Sequence, residues 1–221
     1  MRRHIDLSHT IYDGLVSVKN LPAPVICDYL SREASRSNYT GGTEFQIGRI
    51  DMVSNTGTYI DCPFHRYAEG KDLSQMPLER FVDLPALVVR VPFREGLEVT
   101  AEVFSGLNVT GKAVLVHTGW SEHWNTPKYF ENHSFLNAAA ATVLRDQGAT
   151  LVGIDSHNID DTRTRTSRPV HTILLGAEVL IVEHMRGLEQ LPPEGFLFSA
   201  VPPKVTGMGT FPVRAFATLS D

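Results

Sequence analysis

The sequence has little cysteine and no long apolar run, and each absence excludes a class of protein. Its two cysteines, Cys27 and Cys62, are far apart and match no metal-binding spacing, so no disulfide framework is indicated. We therefore expect a reducing, cytoplasmic location. No apolar run approaches the roughly 18–20 residues that a membrane-spanning helix needs, so no membrane association is expected. The arginines near the start of the chain precede no apolar stretch, which indicates no signal peptide.

The sequence also lacks an excess of charge of one sign, internal repeats and low-complexity segments. The formal net charge is −5, with acidic and basic residues interspersed, which argues against a nucleic-acid surface. The 221 residues are 42% hydrophobic and 20% charged, as in an ordinary globular protein. Because no linker divides the chain, we predict one domain over residues 1–221.

Runs of apolar and β-branched residues recur along the chain and have the length of strands. They predict strands buried on both faces at residues 45–53, 86–91, 113–118, 150–155 and 178–183. Two closing strands are predicted at residues 195–201 and 211–219. Many strands beside few long helices predict an α/β fold with a mixed, sheet-rich core.

Two segments carry the signals of helices. Residues 138–147 are rich in alanine, follow Asn137 as an N-cap, and end before Gly148. A shorter helix is predicted to begin near His171 and to stop at Gly176. A predicted strand follows each helix directly, which is typical of an α/β arrangement.

The segment 55–65, Asn-Thr-Gly-Thr-Tyr-Ile-Asp-Cys-Pro-Phe-His, concentrates residues that can carry chemistry. Pro63 excludes a helix interior, and an extended backbone would place Tyr59 and Asp61 on the same face. His65 follows shortly after, so a phenol, a carboxylate and an imidazole are expected near one strand end, an arrangement suited to acid–base chemistry. The alternative is structural: Asp61 caps a helix, His65 is a partly buried histidine, and Tyr59 packs in the core.

The same segment reads N-x-G-T-Y-x-D-x-P-x-H and resembles H-x-G-T-H-x-D-x-P-x-H, the signature of the cyclase / kynurenine formamidase family. Members of that family are metal-dependent hydrolases. Further stretches resemble the family in chain order: Asp6-Leu-Ser, Thr118-Gly-Trp, residues 152–160, residues 171–183, and Gly209-Thr-Phe-Pro-Val-Arg-Ala. The resemblance covers nearly the whole chain and implies the family's swivelling β/β/α fold in a homodimer or homotetramer.

The resemblance also implies roles for individual positions. In relatives, the carboxylate that matches Asp61 binds or bridges the metal, and the residues that match His171 and Glu183 complete the coordination. The histidine that matches His65 is the general acid/base. Two further motif histidines are metal ligands in the family, and this sequence replaces them with Asn55 and Tyr59.

The two replacements differ in their chemical consequences. The carbonyl oxygen of Asn55 is a weak ligand for zinc but suits a harder ion such as manganese. Tyr59 is a ligand only when deprotonated, and a phenol has a reference pKa of about 10. We therefore expect at most one divalent ion, Zn²⁺ or Mn²⁺, held by Asp61, His171, Glu183 and Asn55. A protein without a metal remains the alternative.

These residues predict a hydrolase of a small amide, ester or lactone. A metal-activated water would attack the substrate, His65 would act as general acid/base, and Tyr59 would donate a hydrogen bond to the oxyanion. One alternative is a metal-free cyclase, lyase or isomerase that uses Tyr59, Asp61 and His65 for proton transfer. The other is a non-catalytic protein that binds a small molecule.

Residues 156–170 are rich in aspartate, threonine and arginine and predict a surface loop. His157 is expected to be exposed there, with substitution for a lost metal ligand as the alternative. Arg163, Arg165 and Arg168 either bind a substrate carboxylate or form a solvated charged loop.

Overall fold

The computed structural model describes residues 2–163 and 167–220, so Arg165 lies outside the described residues. The described part of the chain contains helices α1 (Arg32–Ser35), α2 (Ala138–Asp146) and α3 (Pro169–Gly176), together with single 3₁₀ turns. Its strands are β1 (Arg2–Asp6), β2 (Val25–Leu30), β3 (Ile47–Asp51), β4 (Tyr59–Asp61), β5 (Leu84–Arg90), β6 (Glu98–Val99), β7 (Ala113–His117), β8 (Phe135–Leu136), β9 (Leu151–Ile154), β10 (Leu180–Glu183), β11 (Glu194–Ser199), β12 (Thr210–Pro212) and β13 (Phe216–Ser220).

Nine strands form one mixed sheet in the order β1-β13-β11-β5-β7-β9-β10-β4-β12. The central strands β5, β7, β9 and β10 are parallel, whereas their outer neighbours pair antiparallel. The central strands are the four apolar runs at residues 86–91, 113–118, 150–155 and 178–183, and they are almost entirely buried. Strands that are apolar at every position suit a sheet covered on both faces, and the predicted α/β fold is confirmed.

Alternate side chains of the central strands enter two hydrophobic clusters, one on each face of the sheet. In β7, Leu115 belongs to the first cluster, whereas Val114 and Val116 belong to the second. The second cluster also contains Leu144 of α2 and Leu174 of α3. The two longer helices therefore cover one face of the sheet.

The predicted alanine-rich helix is confirmed as α2. The side chain of Asn137 accepts a hydrogen bond of 2.8 Å from the backbone N–H of Ala140, and Gly148 follows with a φ of +78°, which favours glycine. Helix α3 begins at Pro169, slightly before the predicted start near His171, because proline suits the first turn of a helix. Within the described ranges, no helix is long and apolar enough to cross a membrane.

The prediction for residues 45–53 is right about the strand but wrong about its burial. The strand is β3, which pairs with β2 in a separate two-stranded ribbon, and all five of its residues are exposed. Its sequence alternates isoleucine with glycine and charged residues, and no continuous apolar run is present to bury it on both faces.

Residues 211–219 contribute to two strands rather than one. β12 pairs with β4 at one edge of the sheet, whereas β13 lies between β1 and β11 near the opposite edge. The chain leaves the first strand at Pro212, which has no N–H to donate to a strand ladder. This arrangement places Thr210 directly opposite Asp61 in the sheet.

The prediction of a surface loop at residues 156–170 is wrong for its first part. Ser156, His157 and Asp160 are buried. Burial is possible because polar groups in this segment find partners, as Asp160 does with the backbone N–H of Val170 at 2.8 Å. The polar composition of residues 156–170 therefore does not reveal that part of this segment is buried.

Candidate functional site

Four residues selected from the sequence lie together where β4 and β10 meet α3. β4 supplies Asp61, the following 3₁₀ turn supplies His65, α3 supplies His171, and the end of β10 supplies Glu183. β10 runs antiparallel to β4, with Glu183 opposite Tyr59. Side chains opposite each other in such a pair lie on the same face of a sheet. Strand pairing thus joins residues that are far apart in the sequence.

The ligand atoms of these side chains converge. His171 Nε2 lies 3.7 Å from Asp61 Oδ2 and 3.7 Å from Glu183 Oε1. His65 Nδ1 lies 3.9 Å from the other oxygen of Asp61. One ligand atom each of Asp61, His65 and His171 lies within 4.8 Å of the other two. Glu183 lies next to this group, with its Oε1 near His171 Nε2.

Asp160 orients the His171 ring. Its Oδ2 accepts hydrogen bonds from His171 Nδ1 at 2.6 Å and from the His171 backbone N–H at 3.0 Å. Nε2 is therefore left to face Asp61 and Glu183. Burial alone would lower the pKa of His171, but the hydrogen bond to Asp160 and the nearby charges of Glu183 and Asp61 outweigh burial and raise the pKa to about 10.

Three carboxylates surround this imidazole, and almost no solvent reaches them. Asp61, Asp160 and Glu183 are each at most 1% exposed. Burial raises the pKa of Glu183 to about 7, although the charge of His171 opposes the shift. Asp61 Oδ2 is buried without a hydrogen-bond partner among the described residues. Buried carboxylates are stable when they are paired or coordinate a metal, so this atom is suited to a cation.

Tyr59 lies within the site but has the properties of a donor rather than a ligand. Its hydroxyl donates a hydrogen bond of 2.6 Å to Glu183 Oε2. Burial, followed by the charges of Glu183 and Asp61, raises the pKa of Tyr59 well above its ordinary value. The phenol is therefore protonated at neutral pH, as expected from the sequence.

Asn55 lies beside Tyr59. Its side chain acts to lower the pKa of Tyr59, against the larger effects that raise it, and its Oδ1 accepts a hydrogen bond of 3.3 Å from Ser54. Its backbone carbonyl accepts a hydrogen bond from Ser17. The amide is thus bound within the loop before β4, and the metal-binding role of Asn55 stays a prediction.

His65 is the most exposed member of the site, with 34% of its side chain accessible. Its Nδ1 lies 2.8 Å from the hydroxyl of Thr210, which also donates a hydrogen bond to Asp61 Oδ1. The sequence alone indicates no role for Thr210 or for Asp160. Both lie in stretches that resemble family motifs. The motifs mark these positions but do not indicate that Thr210 contacts His65 and Asp61, or that Asp160 contacts His171.

His157 is buried, contrary to the prediction. Its ring packs against those of Tyr129, His133 and His184, with centroid distances of 5.3–5.7 Å. Burial lowers the pKa of His157 to about 3, so the ring is neutral. It does not belong to the group of Asp61, His65 and His171, and the arrangement gives no support to substitution for a lost ligand.

The two described arginines of the loop, Arg163 and Arg168, form contacts with their neighbours. Arg163 pairs with Asp161 through two nitrogens, at 2.9 and 2.7 Å. Arg168 donates to the backbone carbonyls of Asp161 and Ser167. These contacts favour the structural interpretation of Arg163 over recognition of a substrate carboxylate.

Two of the distances between possible ligand atoms in the site are close to those around a divalent ion. Two donors about 2.1 Å from a tetrahedral ion lie roughly 3.4 Å apart. The two distances of 3.7 Å from His171 Nε2 to Asp61 and Glu183 are close to that value. Two carboxylate oxygens and one imidazole nitrogen suit Zn²⁺ or Mn²⁺. The neutral phenol of Tyr59 does not provide the donor that a second ion would need.

Comparison with known proteins agrees with this architecture. Among curated proteins, the chain is 28% identical over 184 residues to a kynurenine formamidase of Geobacillus thermodenitrificans. The matched region covers 82% of this chain and 84% of that protein. Among solved structures, it resembles the "predicted metal-dependent hydrolase" of Bacillus stearothermophilus with a TM-score of 0.77 and 28% identity, covering 99% and 98% of the two chains.

The fold also matches isatin hydrolase A of Labrenzia aggregata, with a TM-score of 0.84 over 100% of this chain and 94% of that one. At 21% identity this likeness shows the fold alone. The Cyclase family model matches residues 5–161, which include the segment 55–65 with Asp61 and His65. Because this match covers more than half of the chain, the protein belongs to the cyclase family.

Proposed function

We propose that this protein hydrolyses a small amide with the help of one divalent metal ion. The observation that carries the proposal is the cluster of Asp61, His65 and His171, with Glu183 next to His171. Within it, Asp61 Oδ2 has no hydrogen-bond partner among the described residues and His65 is partly exposed. The similarity to kynurenine formamidases favours an amide as the substrate class, with esters and lactones as alternatives.

The ion would be held by Asp61 Oδ2, His171 Nε2 and Glu183 Oε1, with Asn55 as a further predicted donor. When bound, such an ion polarises a carbonyl group and lowers the pKa of a coordinated water. The hydrogen bond from His171 Nδ1 to Asp160 keeps the His171 ring in the orientation that presents Nε2 to this position.

His65 is the general acid/base of the proposed reaction. An imidazole can both accept and donate a proton, and the exposed part of this side chain can contact a substrate. His65 would take a proton from the attacking water and return one to the leaving nitrogen as the C–N bond breaks.

Tyr59 was expected to stabilise an oxyanion, but the structure does not favour that role. Its single hydroxyl proton is donated to Glu183, so it is not available to a substrate in this conformation. We propose that Tyr59 holds Glu183 in its orientation, together with the backbone N–H of Ile159, which donates to the other carboxylate oxygen at 2.6 Å.

Hydrolysis of N-formylkynurenine and of a panel of small amides, esters and lactones tests the proposal. His65→Asn is expected to lower turnover by roughly 10²–10⁴-fold while the bound metal is retained. His4→Asn is a matched control, because His4 is exposed and its ring contacts Thr218, at the opposite edge of the sheet. Equal turnover by the wild type and His65→Asn on the preferred substrate contradicts the assignment.

The replacement of two motif histidines by Asn55 and Tyr59 favours a second candidate, a metal-free cyclase, lyase or isomerase. In that case Tyr59, Asp61 and His65 would transfer protons, and chelators would leave turnover unchanged. A non-catalytic protein would instead bind a small molecule without converting any member of the panel.

A homodimer or homotetramer in the cytoplasm remains our expectation. The ribbon of β2 and β3 supports self-association, because Val25, Tyr29, Ile47 and Ile50 are between 49% and 75% exposed on it. An isolated two-stranded ribbon is marginally stable in water, so contact with a second copy would stabilise it. Sedimentation analysis tests this expectation, and a monomer at micromolar concentration contradicts it.

A further inference from the structure

Thr210 connects the two residues on which the proposed chemistry depends most. It lies in β12 directly opposite Asp61 and is 2% exposed. Its hydroxyl oxygen donates a hydrogen bond to Asp61 Oδ1 and lies 2.8 Å from His65 Nδ1. The direct distance between His65 Nδ1 and Asp61 Oδ1 is 3.9 Å, so the hydroxyl bridges two groups that do not bond to each other.

The donors and acceptors in this bridge allow one assignment. The Thr210 hydroxyl donates its single proton to Asp61 Oδ1. The hydroxyl oxygen can then only accept from His65, which requires the proton of the neutral imidazole to be on Nδ1. The lone pair of His65 is therefore on Nε2, the nitrogen that is not bound by Thr210.

The backbone fixes the distance on which this bridge depends. The carbonyl of Gly209 accepts a hydrogen bond of 2.8 Å from the N–H of Cys62, which ties β12 to the start of the turn that carries His65. A Cβ atom at Gly209 would collide with the backbone of His65. The glycine thus allows the close approach that brings Thr210 to the His65 ring.

We propose that Thr210 is a positioning residue that sets the tautomer of His65 and presents Nε2 as the base. The tautomer assignment follows from the contacts of Thr210, whereas its catalytic consequence rests on the function proposed for His65. A neutral histidine side chain that is free in water prefers the opposite tautomer, with the proton on Nε2. Thr210 therefore reverses an intrinsic preference.

The two oxygens of Asp61 have separate tasks in this arrangement. Oδ1 is bound by Thr210, whereas the buried Oδ2 faces His171 Nε2. Removing the hydroxyl of Thr210 therefore leaves the proposed metal-binding atom in place. Thr210→Val is the appropriate change because it keeps the shape of the side chain, and Thr210→Ser is the matched control because it keeps the hydroxyl.

The tautomer can be read from ¹H–¹⁵N correlation spectra of the histidine rings in the purified protein, with the His65 signals identified by their loss in His65→Asn. We expect the Nδ1–H form in the wild type and in Thr210→Ser, and the Nε2–H form in Thr210→Val. Thr210→Val should lower kcat by about 10²-fold or more with little change in KM, and Thr210→Ser should recover most of the loss. Circular dichroism and bound metal should be the same in all three proteins.

An Nε2–H tautomer in the wild type, or the same tautomer in the wild type and Thr210→Val, overturns the proposal. The predicted change of tautomer without a change in turnover has a different meaning. It supports the positioning role of Thr210 and contradicts the role of His65 as the base.

Discussion

Asp160 provides the sharpest test of how the site is built, because it contacts His171 without facing the proposed metal. Its carboxylate accepts three hydrogen bonds, from His171 Nδ1 and from the backbone N–H groups of His171 and Val170. Asp160→Asn replaces one acceptor oxygen with an NH₂ group, which would face these donors. The change therefore removes at least one bond and the negative charge while it preserves the size of the side chain.

The magnitude follows from two effects. Loss of a hydrogen-bonding partner behind a metal-binding histidine typically lowers metal affinity by about 10–100-fold, which corresponds to about 1.4–2.7 kcal/mol. Asp160 also caps α3, because its carboxylate accepts hydrogen bonds from the backbone N–H groups of Val170 and His171 in the first turn of this helix. Loss of a cap costs about 0.5–2 kcal/mol of stability. We expect both effects in Asp160→Asn.

Metal affinity is measured by competition with a chromophoric chelator at fixed pH, and stability by thermal unfolding of the metal-free protein. Asp161→Asn is the matched control, because Asp161 is the next residue, is partly exposed and pairs with Arg163. The control should retain the metal affinity of the wild type. Equal affinities for wild type and Asp160→Asn would refute the inference that Asp160 orients His171.

Three further predictions concern other parts of the molecule. The double change Asn55→His and Tyr59→His restores the family motif and should raise the metal content measured by elemental analysis above that of the wild type; an unchanged content would show that these positions do not limit binding. In the metal-loaded protein, His65→Asn should leave the stoichiometry of bound metal unchanged, since three other residues are proposed to hold the ion; loss of metal would make His65 a ligand. His157 takes up its proton near pH 6.5 when unfolded and near pH 3 when folded, so the free energy of unfolding should fall as pH decreases through this window, by about 2 kcal/mol at pH 5. In denaturant titrations, the free energy of unfolding of His157→Gln should depend less on pH than that of the wild type. A pH dependence equal to that of the wild type or of the exposed-site variant His4→Gln would contradict the burial argument.

The central strands could be predicted from the sequence because apolar residues at every position indicate burial on both faces. Both ends of α2 could also be predicted from the sequence, since Asn137 and Gly148 have local roles at its two termini. The convergence of Asp61 with His171 and Glu183 was expected only from the resemblance to a family. Periodicity and propensity describe neighbours along the chain, and they contain no information about which strands pair.

The contacts that orient the site could not be predicted for the same reason. Thr210 and Asp61 are 149 positions apart and meet because β12 pairs with β4. Residues 156–170 were assigned to the surface from their polar composition, but Asp160 is buried because it finds backbone N–H groups at the start of α3. Whether a polar residue is exposed depends on its partners, which composition does not reveal.

Metal content and turnover, measured on the same preparation, test whether one metal ion supports amide hydrolysis. We expect one equivalent of Zn²⁺ or Mn²⁺ per chain by elemental analysis. Removal of this ion by a chelator should abolish amide hydrolysis, and its return should restore hydrolysis in the wild type but not in His171→Ala. Full turnover by protein that contains no metal, or two tightly bound equivalents per chain, would contradict the account.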